Sequence, residues 1–185
     1  MVYGIILASG KGTRMGADIP KQFLNLRNKP ILVWTTDAFL NSGLFDKIYL
    51  AIRKNWSEYT AKLLKKYYLP NELEKVEICI NKSQNRTLCL SEAVDEIVKT
   101  NGITPDDIVI SHDAVRPFVS YKVLQNCISH VQEDQVAMSA IPYVETMYLS
   151  DLEGYLTRNQ DRTVCYSGQS PHGCKLQLLY RIFHS

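Results

Sequence analysis

The sequence predicts an α/β fold: a doubly wound, mostly parallel sheet with helices on both faces and a β-hairpin arm outside it. Three observations predict it. Short apolar runs alternate with stretches of helical period along most of the 185 residues. The first run, Val2 to Leu7, is continuously apolar, as in a strand covered on both faces. Two conspicuous loops, "ASGKG" and "HDAVRP", each follow a predicted strand directly. Right-handed crossovers bring strand C-termini to one edge, so both loops are expected at one cleft.

The elements follow in order. Val2–Leu7 is the first strand, and Pro30 opens a helix over 30–39, where its missing N–H costs nothing. Residues 46–52 read as the second strand. Residues 56–67 read as a helix, with Leu63, Leu64 and Tyr67 on one side and lysines on the other. Strands at 75–80, 106–111 and 135–141 alternate with helices at 88–98 and 123–131. The rhythm breaks at 142–170, where short alternating stretches around Asp151–Gly154 read as a hairpin. Residues 142–163 are therefore expected to form the arm, as a lid or a dimer contact. A helix over 175–183 closes the chain. There is no internal repeat or linker, and residues 1–185 read as a single domain with a Rossmann-like winding.

Composition narrows the function classes. A hydrophobic fraction of 45% and a charged fraction of 22% are ordinary for a globular chain. The net charge of +2 gives no reason to expect nucleic acid as a partner. Five cysteines without a CxxC pair suggest neither a zinc site nor a disulfide framework. With no apolar run long enough to span a bilayer and no signal segment, a cytoplasmic protein without membrane partners is expected.

The chemistry concentrates in "LASGKGTRMGADIPKQF", residues 7–23. It matches neither the Walker pattern nor the dinucleotide fingerprint, since Met15 stands where the third glycine belongs. It carries Lys11, Arg14 and Lys21, more cation than a finished dinucleotide needs. A triphosphate losing pyrophosphate does need it. Gly10 and Gly12 let backbone approach phosphate, Arg14 can clamp two oxygens, and Lys21 can act as a point charge. A solvated surface turn is the alternative. Asp113, at a strand end facing that loop, suits Mg²⁺ beside phosphates, or a structural pair with Arg116. His112 reads as a supporting or packing residue. Arg162 could meet an anionic co-substrate or simply be solvated.

Taken together, L-A-S-G-x-G-T-R-M-G-x-x-x-P-K-Q-F-L, an Arg opening a helix, H-D-A-V-R-P and D-R-x-x-x-x-x-G-Q-[ST]-P resemble the CTP-dependent cytidylyltransferases of alditol phosphates. The order and spacing match over nearly the whole chain. The resemblance implies a nucleotide-diphospho-sugar transferase type of fold, with CTP and an alditol phosphate as substrates and Mg²⁺ as cofactor. Leu7, Ala8, Ser9, Gly10, Lys11, Gly12 and Thr13 would wrap the CTP phosphates, with Arg86, Cys89, Ala114 and Arg116 also on the nucleotide side. Arg14 and Lys21 would stabilise the pentacoordinate α-phosphorus, and Asp113 would take the metal. Thr146, Arg162 and Ser170 would serve the acceptor, completed by the arm of a second subunit in a homodimer.

"MGADIPKQFL", "TPDDIVISHDAVRPFVS" and "YSGQSP" resemble the D-ribitol 5-phosphate branch, which implies CDP-ribitol for cell-surface polysaccharide or teichoic acid synthesis. The alternative acceptor is 2-C-methyl-D-erythritol 4-phosphate, of isoprenoid biosynthesis. Other readings are a CTP-binding module without turnover and a transferase of sugar 1-phosphates using another nucleotide. The sequence departs from the family at Lys82 and Ser83, where a G-G pair is usual, at Cys89, where Ser is usual, and at His172. The family pattern also runs on into a C-terminal tail with an N-x-K lysine, which is expected to be absent from this chain.

Overall fold

The structure, a computed structural model, describes residues 1–10, 19–83 and 85–185. The chain enters as β1 (Val2–Leu7). A 3-10 turn at Lys21–Phe23 and a small ladder, β2 (Asn25–Leu26) with β3 (Lys29–Pro30), lead into α1 (Ile31–Ser42). Then come β4 (Lys47–Arg53), α2 (Ser57–Tyr67), the short α3 (Pro70–Leu73), β5 (Val76–Asn81), α4 (Arg86–Asn101), β6 (Ile108–Asp113) and α5 (Tyr121–Ser129). The last part holds β7 (Ala137–Pro142), the ribbon β8 (Met147–Ser150) and β9 (Leu156–Gln160), β10 (Tyr166–Lys175) and α6 (Leu176–Phe183).

Six strands make the main sheet in the order β5-β4-β1-β6-β10-β7. The ladders β5–β4, β4–β1 and β1–β6 are parallel, whereas β10 runs antiparallel to both β6 and β7. Strand alternation divides the core into two layers. Ile6, Ile48, Leu50, Ile52 and Ile110 face Leu32, Val33, Phe39, Leu63 and Leu124 from α1, α2 and α5. Tyr3, Ile5, Tyr49, Ala51 and Val109 face Ala93, Val94, Ile97 and Leu176 from α4 and α6. The arrangement is thus the mostly parallel, doubly wound α/β fold that the sequence predicts.

Local chemistry explains the element ends. Pro30 caps α1, which stops at Gly43 in the left-handed region (φ 66°). Asn85 caps α4, its side chain accepting from the Thr87 and Leu88 N–H groups. This starts α4 at Arg86, two residues before the expected start at 88. Ser120 caps α5 in the same way, so α5 also begins earlier than 123. The larger departure is β10, a ten-residue strand in a stretch read only as arm and loop. "YSGQSPHGCK" lacks apolar periodicity, and two neighbouring ladders rather than propensity hold it in the sheet. Among the described residues, no helix is long and apolar enough to cross a membrane.

Candidate functional site

The C-terminal ends of β1 and β6 lie side by side, with Leu7 paired to Asp113. The backbone continues the ladder beyond both: Ala8 N–H donates to Ala51 O (3.0 Å) and Ala114 N–H to Leu7 O (3.1 Å). A cavity of about 340 Å³ opens there, lined by Leu7, Ala8, Ser9, Gly10, Lys21, Gln22, Arg86, Asp113, Ala114 and Val115. The two loops expected at one cleft therefore meet. Lys11, Gly12, Thr13 and Arg14 lie outside the described residues.

Lys21 reaches the cavity on a strap that the core anchors. Phe23 is buried and packs on Trp56 (5.0 Å between centroids) and Tyr59 (5.1 Å). Next to it, buried Gln22 donates from Nε2 to Ala8 O (2.6 Å) and Gly10 O (3.2 Å). Gln22 thus clasps the start of the glycine loop from below. The sequence reading missed it; the available signal was an amide side chain between Lys21 and an anchoring aromatic.

Asp113 sits between two arginines. Arg86 Nη2 donates to its Oδ1 (2.9 Å) and Arg116 Nε to its Oδ2 (3.1 Å). Burial opposes its charge, but the Arg86 and Arg116 guanidiniums outweigh burial and hold the carboxyl below the usual carboxylate range. Arg86 comes from the capped first turn of α4, so a helix end and a strand end are joined across the cleft.

A second layer lies behind Asp113. His112 is 1% exposed and tilted against the Phe39 ring (5.5 Å), so it supports the cleft from within, as its sequence position suggested. Desolvation pushes its pKa down, partly countered by its hydrogen bond to Arg116 O and the Asp113 charge. The ladder between β10 and β7 shifts register between Gly168 and His172, forming a bulge. Bulges re-aim side chains. Here Gln169 Oε1 accepts from Arg116 Nη1, and Ser170 Oγ lies 2.9 Å from His112 Nδ1. Gln169 and Ser170 also line a second cavity of about 530 Å³, which shares Val115 with the first and is walled by Pro117, Phe118, Val119 and Ile141.

Cys89 is not at the cavity surface. It is fully buried, and Ser9 Oγ donates to its sulfur (3.0 Å). Burial pushes the thiol pKa up, so it stays neutral and can donate to Ser83 O (3.2 Å). Cys89, expected on the nucleotide side, is turned into the core by helical spacing and adjoins the cavity through Ser9. The loop before α4 is held by Glu92, whose carboxylate accepts from Asn81 Nδ2 (2.9 Å), Lys82 N (2.9 Å) and Ser83 N (3.3 Å).

Thr146 and Arg162 are not brought to either cavity. Both are exposed at the base of the arm, where Arg162 Nη1 donates to Val144 O (2.8 Å).

The model of the family "IspD: 2-C-methyl-D-erythritol 4-phosphate cytidylyltransferase" matches residues 2–185. Among solved structures, 2-C-methyl-D-erythritol 4-phosphate cytidylyltransferase from Francisella tularensis is 28% identical, with a TM-score of 0.76 over 99% of this chain and 76% of that one. The 4-diphosphocytidyl-2C-methyl-D-erythritol synthase from Anaerococcus prevotii is 23% identical, with a TM-score of 0.79 over 100% of this chain and 74% of that one. The cytidylyltransferase from Thermus thermophilus, at 20% identity and a TM-score of 0.68, is matched over 100% of this chain and 75% of its own. With the two loops joined at one sheet edge and the family pattern running from residue 2 to residue 185, the chain belongs to the IspD family of cytidylyltransferases.

Proposed function

We propose that this cytidylyltransferase moves the cytidylyl group of CTP onto 2-C-methyl-D-erythritol 4-phosphate, releasing pyrophosphate. The observation that carries the reading is the cavity between β1 and β6, where Gly10, Lys21 and Arg86 face Asp113. The acceptor phosphate is already a nucleophile. Its oxygen attacks the α-phosphorus, a new P–O bond forms, and the bond to the departing pyrophosphate breaks. What remains for the protein is positioning and charge neutralisation. Backbone at Ser9 and Gly10 approaches the phosphates, and Lys21, with Arg14, neutralises the charge that grows as pyrophosphate leaves. Arg86 and Arg116 fix the carboxylate opposite.

Magnesium fits this donor set. Asp113 is ionised, faces the cavity, and keeps a lone pair on Oδ2 beyond those given to Arg86 Nε and Nη2 at Oδ1 and to Arg116 Nε at Oδ2. Among the described residues no cluster of three His, Cys, Asp or Glu forms a protein cage. A single carboxylate completed by phosphate oxygens and water is the pattern of Mg²⁺ rather than of a structural metal. Bound there, Mg²⁺ would neutralise triphosphate charge.

The acceptor assignment rests on the family model and on the second cavity. Its walls of Val115, Pro117, Phe118 and Ile141 suit a methyl-bearing tetritol. A second reading, D-ribitol 5-phosphate, is favoured by "YSGQSP" and "MGADIPKQFL". A second copy of the chain is expected to cover the arm, which exposes Val144, Leu152, Tyr155 and Leu156.

A pyrophosphate-release assay tests the reading. Release should require CTP, Mg²⁺ and methylerythritol phosphate together. Release with ribitol 5-phosphate alone would move the chain to the second reading. CTP binding by calorimetry without release for either acceptor would leave a nucleotide-binding module.

A further inference from the structure

We infer that Ser170 and His112 form a positioning pair that sets Asp113 and Arg116 for the transfer, an inference that rests on the transferase reading above. The hydrogen-bond roles follow from elementary chemistry. A carbonyl only accepts, so His112 Nε2, 3.0 Å from Arg116 O, must carry the proton. In the neutral imidazole, Nδ1 then only accepts, so the Ser170 hydroxyl donates to it across 2.9 Å. Ser170 Oγ in turn accepts the Asp113 N–H (3.3 Å).

The result is a closed circuit around the turn after β6. It holds the backbone of Asp113 at one end and that of Arg116 at the other, while Arg116 N–H donates to Asp113 O (3.1 Å) within the turn. The side chains of the same two residues are joined by the Arg116 Nε–Asp113 Oδ2 bond, and Gln169 takes Arg116 Nη1 from the same bulge. His112 is buried with both ring nitrogens engaged, so the circuit is costly to rearrange. This circuit also consumes the single O–H of Ser170. The hydroxyl therefore has no proton left for an acceptor phosphate, and it supports Asp113 and Arg116.

The experiment compares wild type with Ser170→Ala, Ser170→Thr and Ser170→Val in the pyrophosphate-release assay, with thermal melting as the folding check. Thr and Val differ only in hydroxyl against methyl, so that pair decides the matter if the Ala variant does not fold. A displaced charge pair acts on the transition state, so kcat should fall about tenfold in Ala and Val, while both KM values stay within about twofold. Thr should recover kcat to within about threefold of wild type, since it keeps the donor. Wild-type kcat in the Ala and Val variants would overturn the proposal. So would a raised acceptor KM at constant kcat, which would make Ser170 a direct acceptor ligand. A wild type that releases no pyrophosphate would sink the transferase reading instead. The pair would then still be decided by the crystal structure of Ser170→Val: Asp113 and Arg116 displaced from their wild-type positions support it, and an unmoved turn overturns it.

Discussion

Lys21 gains its proposed role from its neighbours in the chain. Phe23 locks the strap into the core, Gln22 holds the loop carbonyls at the cavity wall, and Lys21 brings the strap's charge to the cavity. Lys21→Ala should therefore melt like wild type but lose about a hundredfold in kcat, the usual scale for one lost transition-state donor. Near-normal turnover would remove Lys21 from the chemistry. His112 makes a different prediction, about pH. Burial holds its pKa below the ordinary value, and burial with the Arg86 charge does the same to His172. The unfolded chain therefore takes up these protons first as pH drops below about 6.5, and stability rises with pH through that window. Asp113 acts lower down: its pKa is depressed, so its contribution survives until pH falls through the carboxylate range. Urea unfolding should give a lower free energy at pH 5.5 than at pH 7.5, with a smaller difference in His112→Gln. Equal values in wild type would mean that His112 accepts its proton inside the fold. Lys21, Asp113 and Arg116 were legible from the loops that follow two strands, because charge beside a glycine loop has few other uses, whereas Arg86 was legible only through the family resemblance. Gln22 and Gln169 were not, because a neutral amide shows its purpose only when its partners are in place.

At the scale of elements, β1 is the strand on which the others register, with β4 on one side and β6 on the other. Gly4 lies at its middle, under the stacked rings of Phe39 and Phe45 (4.6 Å between centroids). A Cβ there would stand 2.9 Å from Phe39 Cδ1 and 3.2 Å from Phe45 Cδ1. Neither ring has room to leave, since both are buried, and β1 cannot shift with ladders on both sides. Gly4→Ala should therefore destabilise by about 1–3 kcal/mol, as overpacking does. Because Phe39 also backs His112, kcat should fall with stability. Chemical denaturation and turnover on one preparation would check both, and an unchanged midpoint would mean that the rings move aside freely. The parallel strands and their helices could be read from the sequence because apolar runs and helical periods are set by burial within each segment. β10 could not. Its Gly, Ser and Pro residues are tolerated because β6 and β7 supply the ladder, and a partner distant in sequence leaves no periodic trace. Yet β10 carries Gln169 and Ser170, so the least legible strand supports the most legible loop.

For the whole molecule, the side of the sheet that ends in β7 calls for a partner. β7 is an edge strand with Met138 and Ile141 exposed, and the ribbon β8–β9 carries Tyr148, Leu149, Leu152, Tyr155 and Leu156 to solvent. A two-stranded ribbon is marginal alone, and exposed edges invite pairing. Thr146 and Arg162 stand at the base of this ribbon and not at the cavity of their own chain. If they serve the acceptor, they serve it in a second copy. A symmetric dimer would then hold two sites, each with Lys21 from one chain and Arg162 from the other. Lys21→Ala and Arg162→Ala homodimers should each be nearly inactive. After subunit exchange, half of an equal mixture is mixed dimers, and each of these has one site with both wild-type residues. The mixture should recover about a quarter of wild-type turnover, the value that random pairing of two-site dimers gives. Leu156→Asp, which places a charge on the exposed ribbon that a second copy would cover, should then give a monomer in sedimentation and abolish that recovery. If exchanged subunits show no recovery, Arg162 and Lys21 do not meet across an interface, and the arm has some use other than completing its partner's site.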